Sequence, residues 1–359
     1  MQNHFFGRRR ALFLSALLFL TVFLLNAAGP AANLAAAGNG VKVPAAEKAT
    51  YSLGEWSDVD RGSHRGVIEV PEGIDGAVRV YVPWRRRDVD PETKRLILVD
   101  AQTGQIVENG ISARMDRESL DYVFNPTTRP GKFYLYYLPH NIEPGSGYYG
   151  GGYLAPSATN ADETLAACGL ASDAISSGAW RNLPEAKLLR LEARGSFESF
   201  YPMEVVAKAS ERAALIEKFA KRDFLLFPED RTRPIVMTDD LPLIWIERGP
   251  GDSFTGEALR DEYYAFQIGL FASRGDVRDV KAEWSDLQSE NGDVIPAEKI
   301  TCFNLGGIDS HGTPFTKRVD VPAGKTQALW FGVDVGEEVT PATYSGTVAL
   351  SGDEWEEDK

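Results

Sequence analysis

The chain has 359 residues, 43% of them apolar and 11% aromatic, with a formal charge of −14. That length leaves room for two domains and that apolar content fills their cores, so a disordered body is excluded. A strongly acidic surface is a poor partner for nucleic acid, and none is expected.

The chain opens with a basic segment ending in Arg8-Arg9-Arg10, an apolar run from Ala11 to Leu25, and small residues through Ala35-Ala36-Ala37 that offer a small-x-small cleavage site. This is the pattern of an export signal over residues 1–37, followed by a flexible lead-in over 38–50. Its removal takes three arginines with it and moves the formal charge from −14 to −17. The run is shorter than the roughly 20 apolar residues that span a bilayer, so a membrane is a partner only through an uncleaved signal. The expected location is periplasmic, extracellular or cell-surface.

From Tyr51 a series of strands follows. Gly66 to Val70 is the first, and in AVRVYVPW Val78, Val80 and Val82 point one way while Arg79 and Tyr81 point the other. RLILVDAQTGQIV reads as a hairpin turning over Asp100 to Gly104, with Ile106 restarting the apolar face. Leu120–Phe124 and Lys132–Leu138 complete the set. A Gly-rich loop then carries Tyr148, Tyr149 and Tyr153. A short helix is expected over Asp162–Ser176, a strand over Lys187–Gly195, and an amphipathic helix over Ala207–Lys221 with Ala213, Ile216 and Phe219 on one face. FLLF and LPLIWIE read as apolar strands.

The clearest pattern lies between Asp261 and Leu350. Tyr264, Phe266, Ile268 and Leu270 share one face, as do Leu329, Phe331, Val333 and Val335, and then Tyr344, Val348 and Leu350. Turn-forming segments, including Ser289–Asp293 and Leu305–Asp309, separate them. The expected fold is therefore mainly β: two consecutive antiparallel β-sandwich domains at 51–230 and 231–350, the first with a small helical insertion, and an acidic tail at 351–359.

Chemistry is harder to place. A glycosidase needs two carboxyl groups about 5 to 10 Å apart. Glu198 and Glu204, beside Phe197, Phe200 and Tyr201, are weak candidates, since neighbouring acids arise by chance among 52 Asp and Glu residues. His64, His140 and His311 with Cys168 and Cys302 make no metal-ligand spacing, so neither metal nor cofactor is expected. The two cysteines stand in different expected domains and pair only if their Cα atoms come within about 7 Å. Aromatic residues form a sharper group. A sugar ring lies flat on Tyr or Trp while charged neighbours bond its hydroxyls. Trp84 beside Arg86, the loop residues Tyr148, Tyr149 and Tyr153, and separately Trp330 are the glycan-binding candidates. The competing reading makes Trp84 a cap on the first core, with the arginines paired to Asp88 and Asp90, and Trp330 a cover over a domain joint.

The stretches VYVPWRRRDVDPETKRLILVDAQTGQIV and SFYPMEVVA resemble the N-terminal β-sandwich region of bacterial secreted proteins related to glycoside hydrolase family 123. The resemblance reads most fully over DEYYAFQIGLFAS and VPAGKTQALWFGVDV, and on to the PATYSGTV ending. It implies a glycan-degrading protein whose chemistry sits in a separate barrel acting on N-acetylgalactosamine. The resemblance further implies an adjacent catalytic Asp-Glu pair in that barrel; no residue of this chain matches it, Asp353-Glu354 lying in the acidic tail, and no catalytic residue is carried over. The expectation is a non-catalytic accessory region, binding glycan or supporting a catalytic barrel and read from a truncated chain. A free-standing glycosidase on N-acetylhexosamine glycans and a structural or adhesive surface protein are the alternatives.

Overall fold

The computed structural model describes residues 14–24, 39–57, 61–141, 152–157 and 160–354. They form a mainly β protein with a few short helices, divided into two compact units. One unit is Val43–Lys208; the other combines Met1–Lys42 with Ala209–Lys359. The chain enters on β1 (Leu14–Leu24), a strand of the second unit.

In the first unit, β2 (Tyr51–Leu53), β3 (His64–Val70), β4 (Val78–Val82), β5 (Leu96–Asp100), β6 (Gly110–Met115), β7 (Leu120–Phe124) and β8 (Gly131–Tyr137) follow in order. The short β9 (His140–Asn141) and β10 (Gly152–Tyr153) pair with each other, and β11 (Glu185–Ala193) comes last. The eight-stranded sheet runs β5-β8-β3-β11-β4-β7-β6, with β2 against β11. Although it enters the chain after all its neighbours, β11 is the centre of this sheet. Its first residues pair parallel to β4, and its last residues pair antiparallel to β3 and parallel to β2. The expected all-antiparallel pairing therefore does not hold. Alternation works as anticipated, with Val78, Val80 and Val82 buried in one core together with Ile68, Phe133 and Leu191. Ile106 is exposed, and it is Val107 that turns inward. The turn before it is built as its residues suggest: Asp100 Oδ1 accepts from the amides of Gln102 and Thr103, and Gly104 takes φ 72°.

Every residue of β7 is buried because both faces are covered. Leu120, Tyr122 and Phe124 face the main core, while Val123 packs with Ala77, Cys168 and Trp180 beneath α1 (Ala161–Ala167) and α2 (Ala174–Ser177). The single expected helix is two, because Gly169 at φ 69° adopts the left-handed conformation that ends a helix.

The second unit contains α3 (Ala209–Lys218), β12 (Leu225–Asp230), α4 (Leu243–Arg248), β13 (Ser253–Ala258), β14 (Glu262–Phe271), β15 (Val277–Trp284) and β16 (Leu287–Ser289). They are followed by β17 (Val294–Ile295), β18 (Ile300–Cys302), β19 (Gly306–Ile308), β20 (Pro314–Thr316), β21 (Thr326–Val335) and β22 (Thr343–Glu354). One sheet is ordered β12-β14-β21-β18; the other runs β13-β1-β22-β16-β17 with β15 beside β22. The inward faces read from sequence are correct. Phe266, Ile268 and Phe331 of the first sheet share a core with Leu287, Val348 and Leu350 of the second.

Four expectations are corrected here. The boundary falls between residues 208 and 209 rather than at 230, since β12 pairs with β14. LPLIWIE is the helix α4, laid on the outside of the sheet with Trp245 stacked on Phe227 at 4.3 Å; a short apolar run does not distinguish strand from helix. The helix α3 buries Glu211 and Leu215 rather than Ala213. The Leu305–Asp309 turn contains β19, hairpinned with β20. Within the apolar run Ala11–Leu25, the described residues Leu14–Leu24 form β1, parallel to β13 and antiparallel to β22. No described helix is long and apolar enough to cross a membrane.

The central place of β11 has a measurable consequence. Leu191→Ala, at a side chain 2% exposed, is expected to lower stability by about 2–5 kcal/mol in urea unfolding. Lys187→Ala, on the exposed start of the same strand, is expected to change it by less than about 0.5 kcal/mol.

Candidate functional site

The site grows from the end of β4. Beyond Val82 the chain would leave the core, but Trp84 turns back over it and is 1% exposed, its Nε1–H donating to the Asp116 carbonyl at 2.9 Å. Arg85 takes φ 50°, in the left-handed region, and the bend brings Arg86 down onto the indole. The Arg86 guanidinium, 0% exposed, stacks at 4.4 Å over Trp84 and 5.4 Å from the Tyr137 ring. Its Nε and Nη2 reach the two Asp88 oxygens at 2.8 and 2.6 Å, a bidentate pair. Lys94 donates to the same carboxylate at 2.7 Å and lies 5.5 Å from the ring of Tyr153.

Tyr137 carries the network onward. His64 packs against it and stacks on Phe200 at 4.2 Å. His64 Nε2–H donates to the Glu198 carbonyl at 2.7 Å, while the Glu198 carboxylate accepts from Arg194 at 2.9 Å. Glu204 pairs with Arg87 at 2.5 Å, and its amide donates to the Phe200 carbonyl. Trp84, Arg86, Tyr153, Glu198 and Glu204 are thus joined in one unit through His64, Tyr137, Asp88, Lys94 and Phe200. Of the linking residues, the sequence reading names Asp88 as an arginine partner, and His64 and Phe200 separately, but does not join them; Tyr137 and Lys94 are the two it does not single out.

The electrostatics follow from this packing. Burial alone would raise the carboxyl of Asp88, but hydrogen bonds from Arg86 and Lys94 outweigh it and hold it below the ordinary aspartate value. The hydrogen bond from Arg194 lowers Glu198 likewise. Burial pushes His64 down to about 4, against the opposing pull of the Glu198 carbonyl. The group is thus a neutral imidazole among ion pairs, and the Glu198 carboxyl is not one kept protonated at neutral pH. Among the described residues no set of three or more His, Cys, Asp or Glu side chains is placed to hold a metal ion.

Sequence reading offered Trp84 and Arg86 as ligand contacts. Both are buried, so they close the core and present no face to a sugar, as the competing reading held. Tyr153 is 54% exposed, and Phe197, on the segment between Glu198 and β11, is 97% exposed. Tyr148 and Tyr149 lie outside the described residues. Trp330 belongs to the second unit and is partly exposed on β21, its amide donating to Asn304 Oδ1 at 2.7 Å, with Phe303 and Tyr263 exposed on the same unit. Cys168 and Cys302 are free and buried, one in each unit.

A mainly β module closed by a buried ion pair is the class that this geometry defines. Residues 54–194, inside the first unit, match the family model of the glycoside hydrolase 123 N-terminal domain. The matched residues are those of the first unit rather than the Asp261–Val348 stretch in which the resemblance reads most fully. A search of curated proteins gives no match. Among solved structures, a family 123 glycoside hydrolase from Clostridium perfringens, described for glycolipid glycan hydrolysis, aligns at 21% identity with a TM-score of 0.23. That alignment covers 28% of this chain and 20% of the other.

Two outcomes test this description. Asp88→Ala leaves the Arg86 guanidinium buried without its partner and is expected to cost about 3–5 kcal/mol in urea unfolding. Between pH 6.5 and about 4 the unfolded chain binds a proton that folded His64 refuses, so stability falls as pH drops through that window. His64→Phe is expected to flatten the upper part of this decline, from pH 6.5 down toward the ordinary glutamate value of 4.5, in urea midpoints measured against pH.

Proposed function

We propose that the chain is an exported, non-catalytic accessory region of a glycoside-hydrolase-related protein, built of two β-sandwiches, with glycan binding or support of a catalytic barrel as its direct role. The observation that carries this reading is the agreement of two independent facts. Residues 54–194 match a domain named as the N-terminal part of glycoside hydrolase 123, and the acids clustered in the unit that contains those residues, Asp88, Glu198 and Glu204, are each paired with a cation. A glycosidase needs one carboxyl raised so that it can donate a proton at working pH. Asp88 and Glu198 are displaced the other way. Glycan contact, in this reading, falls among the described residues to the two candidate aromatic residues that keep exposed surface, Tyr153 and Trp330.

Incubation of the purified chain with an aryl N-acetylgalactosaminide is expected to give no hydrolysis above buffer. Turnover that disappears in Glu198→Gln or Glu204→Gln would overturn the accessory reading. On a glycan array the same chain is expected to retain N-acetylhexosamine-containing glycans less well after Tyr153→Ala or Trp330→Ala. Uniform absence of signal from a folded sample would contradict the binding half of the proposal.

A further inference from the structure

The dipeptide Asn-Gly occurs three times in the chain, at Asn39-Gly40, Asn109-Gly110 and Asn291-Gly292. An asparagine followed by glycine is the most reactive of its kind, because a backbone nitrogen on a residue without a Cβ is the least hindered attacker of the side-chain carbonyl carbon. Whether the attack takes place depends on how easily the local backbone opens and turns. Two of the three pairs are clamped. A Cβ on Gly40 would meet the Ile246 and Glu247 carbonyl oxygens, and the amides on either side of Gly40, those of Asn39 and Val41, donate to the Arg248 and Ile246 carbonyls at 3.2 and 2.7 Å. Gly110 opens β6, pairs with Phe124 of β7 and lies against the Tyr122 hydroxyl, while the Asn109 carbonyl accepts from the Asn125 amide at 3.1 Å.

The third pair is built differently. Asn291 and Gly292 are both exposed at the tip of the hairpin joining β16 to β17, and β17 is a two-residue strand at the edge of its sheet. Gly292 takes φ 87° with no atom within 4 Å of where a Cβ would stand, and its nitrogen is held by a hydrogen bond to the Ser289 carbonyl at 3.0 Å. Opening such a bond at a hairpin tip costs little beside opening a sheet. We propose that Asn291 is a self-modifying site, converting to aspartate and isoaspartate through a cyclic imide with Gly292, far ahead of Asn39 and Asn109. The Gly292 nitrogen, its proton lost to solvent, forms a bond to Cγ of Asn291; the Cγ–Nδ2 bond breaks, and Nδ2 takes up a proton and leaves as ammonia. Water then opens the ring, at Cγ to give aspartate or at the α-carbonyl carbon to give isoaspartate. Either product adds a negative charge between Glu290 and Asp293. Isoaspartate also lengthens the main chain inside the loop that the Ser289 amide closes on the Asp293 carbonyl at 2.9 Å. The segment loosened is β17, which seats Ile295 in the core. The proposal goes beyond the accessory role, since neither sugar binding nor export bears on it.

The test keeps the full folded chain in mildly alkaline buffer, samples it over time and digests each sample with trypsin. The digest isolates Asn291 in Ala282–Lys299, Asn109 in Leu96–Arg114 and Asn39 in the peptide ending at Lys42. Mass spectrometry that separates aspartate from isoaspartate is expected to find both at position 291. They are expected to accumulate at least about tenfold faster than at Asn109 or Asn39, the factor that about 1.4 kcal/mol of easier local opening gives. In urea, where every clamp is lost, the three sites are expected to convert at similar rates. Asn291→Gln, whose longer side chain would have to close a six-membered ring, is expected to leave Ala282–Lys299 unmodified and the rate at Asn109 unchanged. Equal rates at the three sites of the folded chain, or a slower rate at Asn291, overturn the proposal. So does a tenfold preference that persists in urea, because the selectivity would then not come from the fold.

Discussion

A guanidinium taken out of water is the constraint around which the first unit is arranged. Arg86 is fully buried, and such a group is tolerable only with a carboxylate in bidentate register and flat surfaces above and below it. Asp88 supplies the first, Trp84 and Tyr137 the second. These requirements fix the path from Trp84 to Lys94 and seat Tyr137, against which His64 and then Phe200 pack. The same solution recurs elsewhere. Arg65 lies between Trp56 and Tyr134 and holds Glu192 at 2.6 Å, while Arg248 and Trp245 converge on the buried Glu229. Ion pairs of this kind add little net stability against an apolar replacement, but they tolerate few alternative arrangements, which suits segments that must hold a shape.

That arrangement also sets what the cluster can do. Carboxylates held ionised by adjacent cations can accept hydrogen bonds and position neighbours; they are poor proton donors at neutral pH. A histidine kept neutral by burial, with its Nε2 proton committed to a backbone carbonyl, is likewise withheld from acid-base work. Among the described residues, aromatic surface stays open at the margins, on Tyr153, Phe197 and Tyr201 in one unit and around Trp330 in the other.

Much of this was legible in the sequence where a single physical rule decides the outcome. Period-two alternation placed Phe266, Leu329 and Val348 in the core because a strand with one buried face permits no other arrangement. The turn at Asp100 was readable for the same reason. Longer-range choices were not. Nothing in KLLRLEARG says that it enters the middle of a sheet whose other strands precede it, since pairing partners are set by tertiary packing. LPLIWIE is apolar enough for either strand or helix, and only the outer face of β12 and β14 resolves it. The candidate residues fared alike. Grouping Trp84 with Arg86 was sound, but a tryptophan beside arginines reads the same whether the pair faces a ligand or closes a core, and burial decided for the core.

The central claim is that the clustered acids are pinned by cations rather than poised for catalysis, and carboxyl-carbon NMR titration of Asp88 and Glu198 addresses it without any substrate. Both midpoints are predicted to fall below their ordinary values of 3.8 and 4.5. A midpoint for either residue displaced upward toward neutrality would contradict the account.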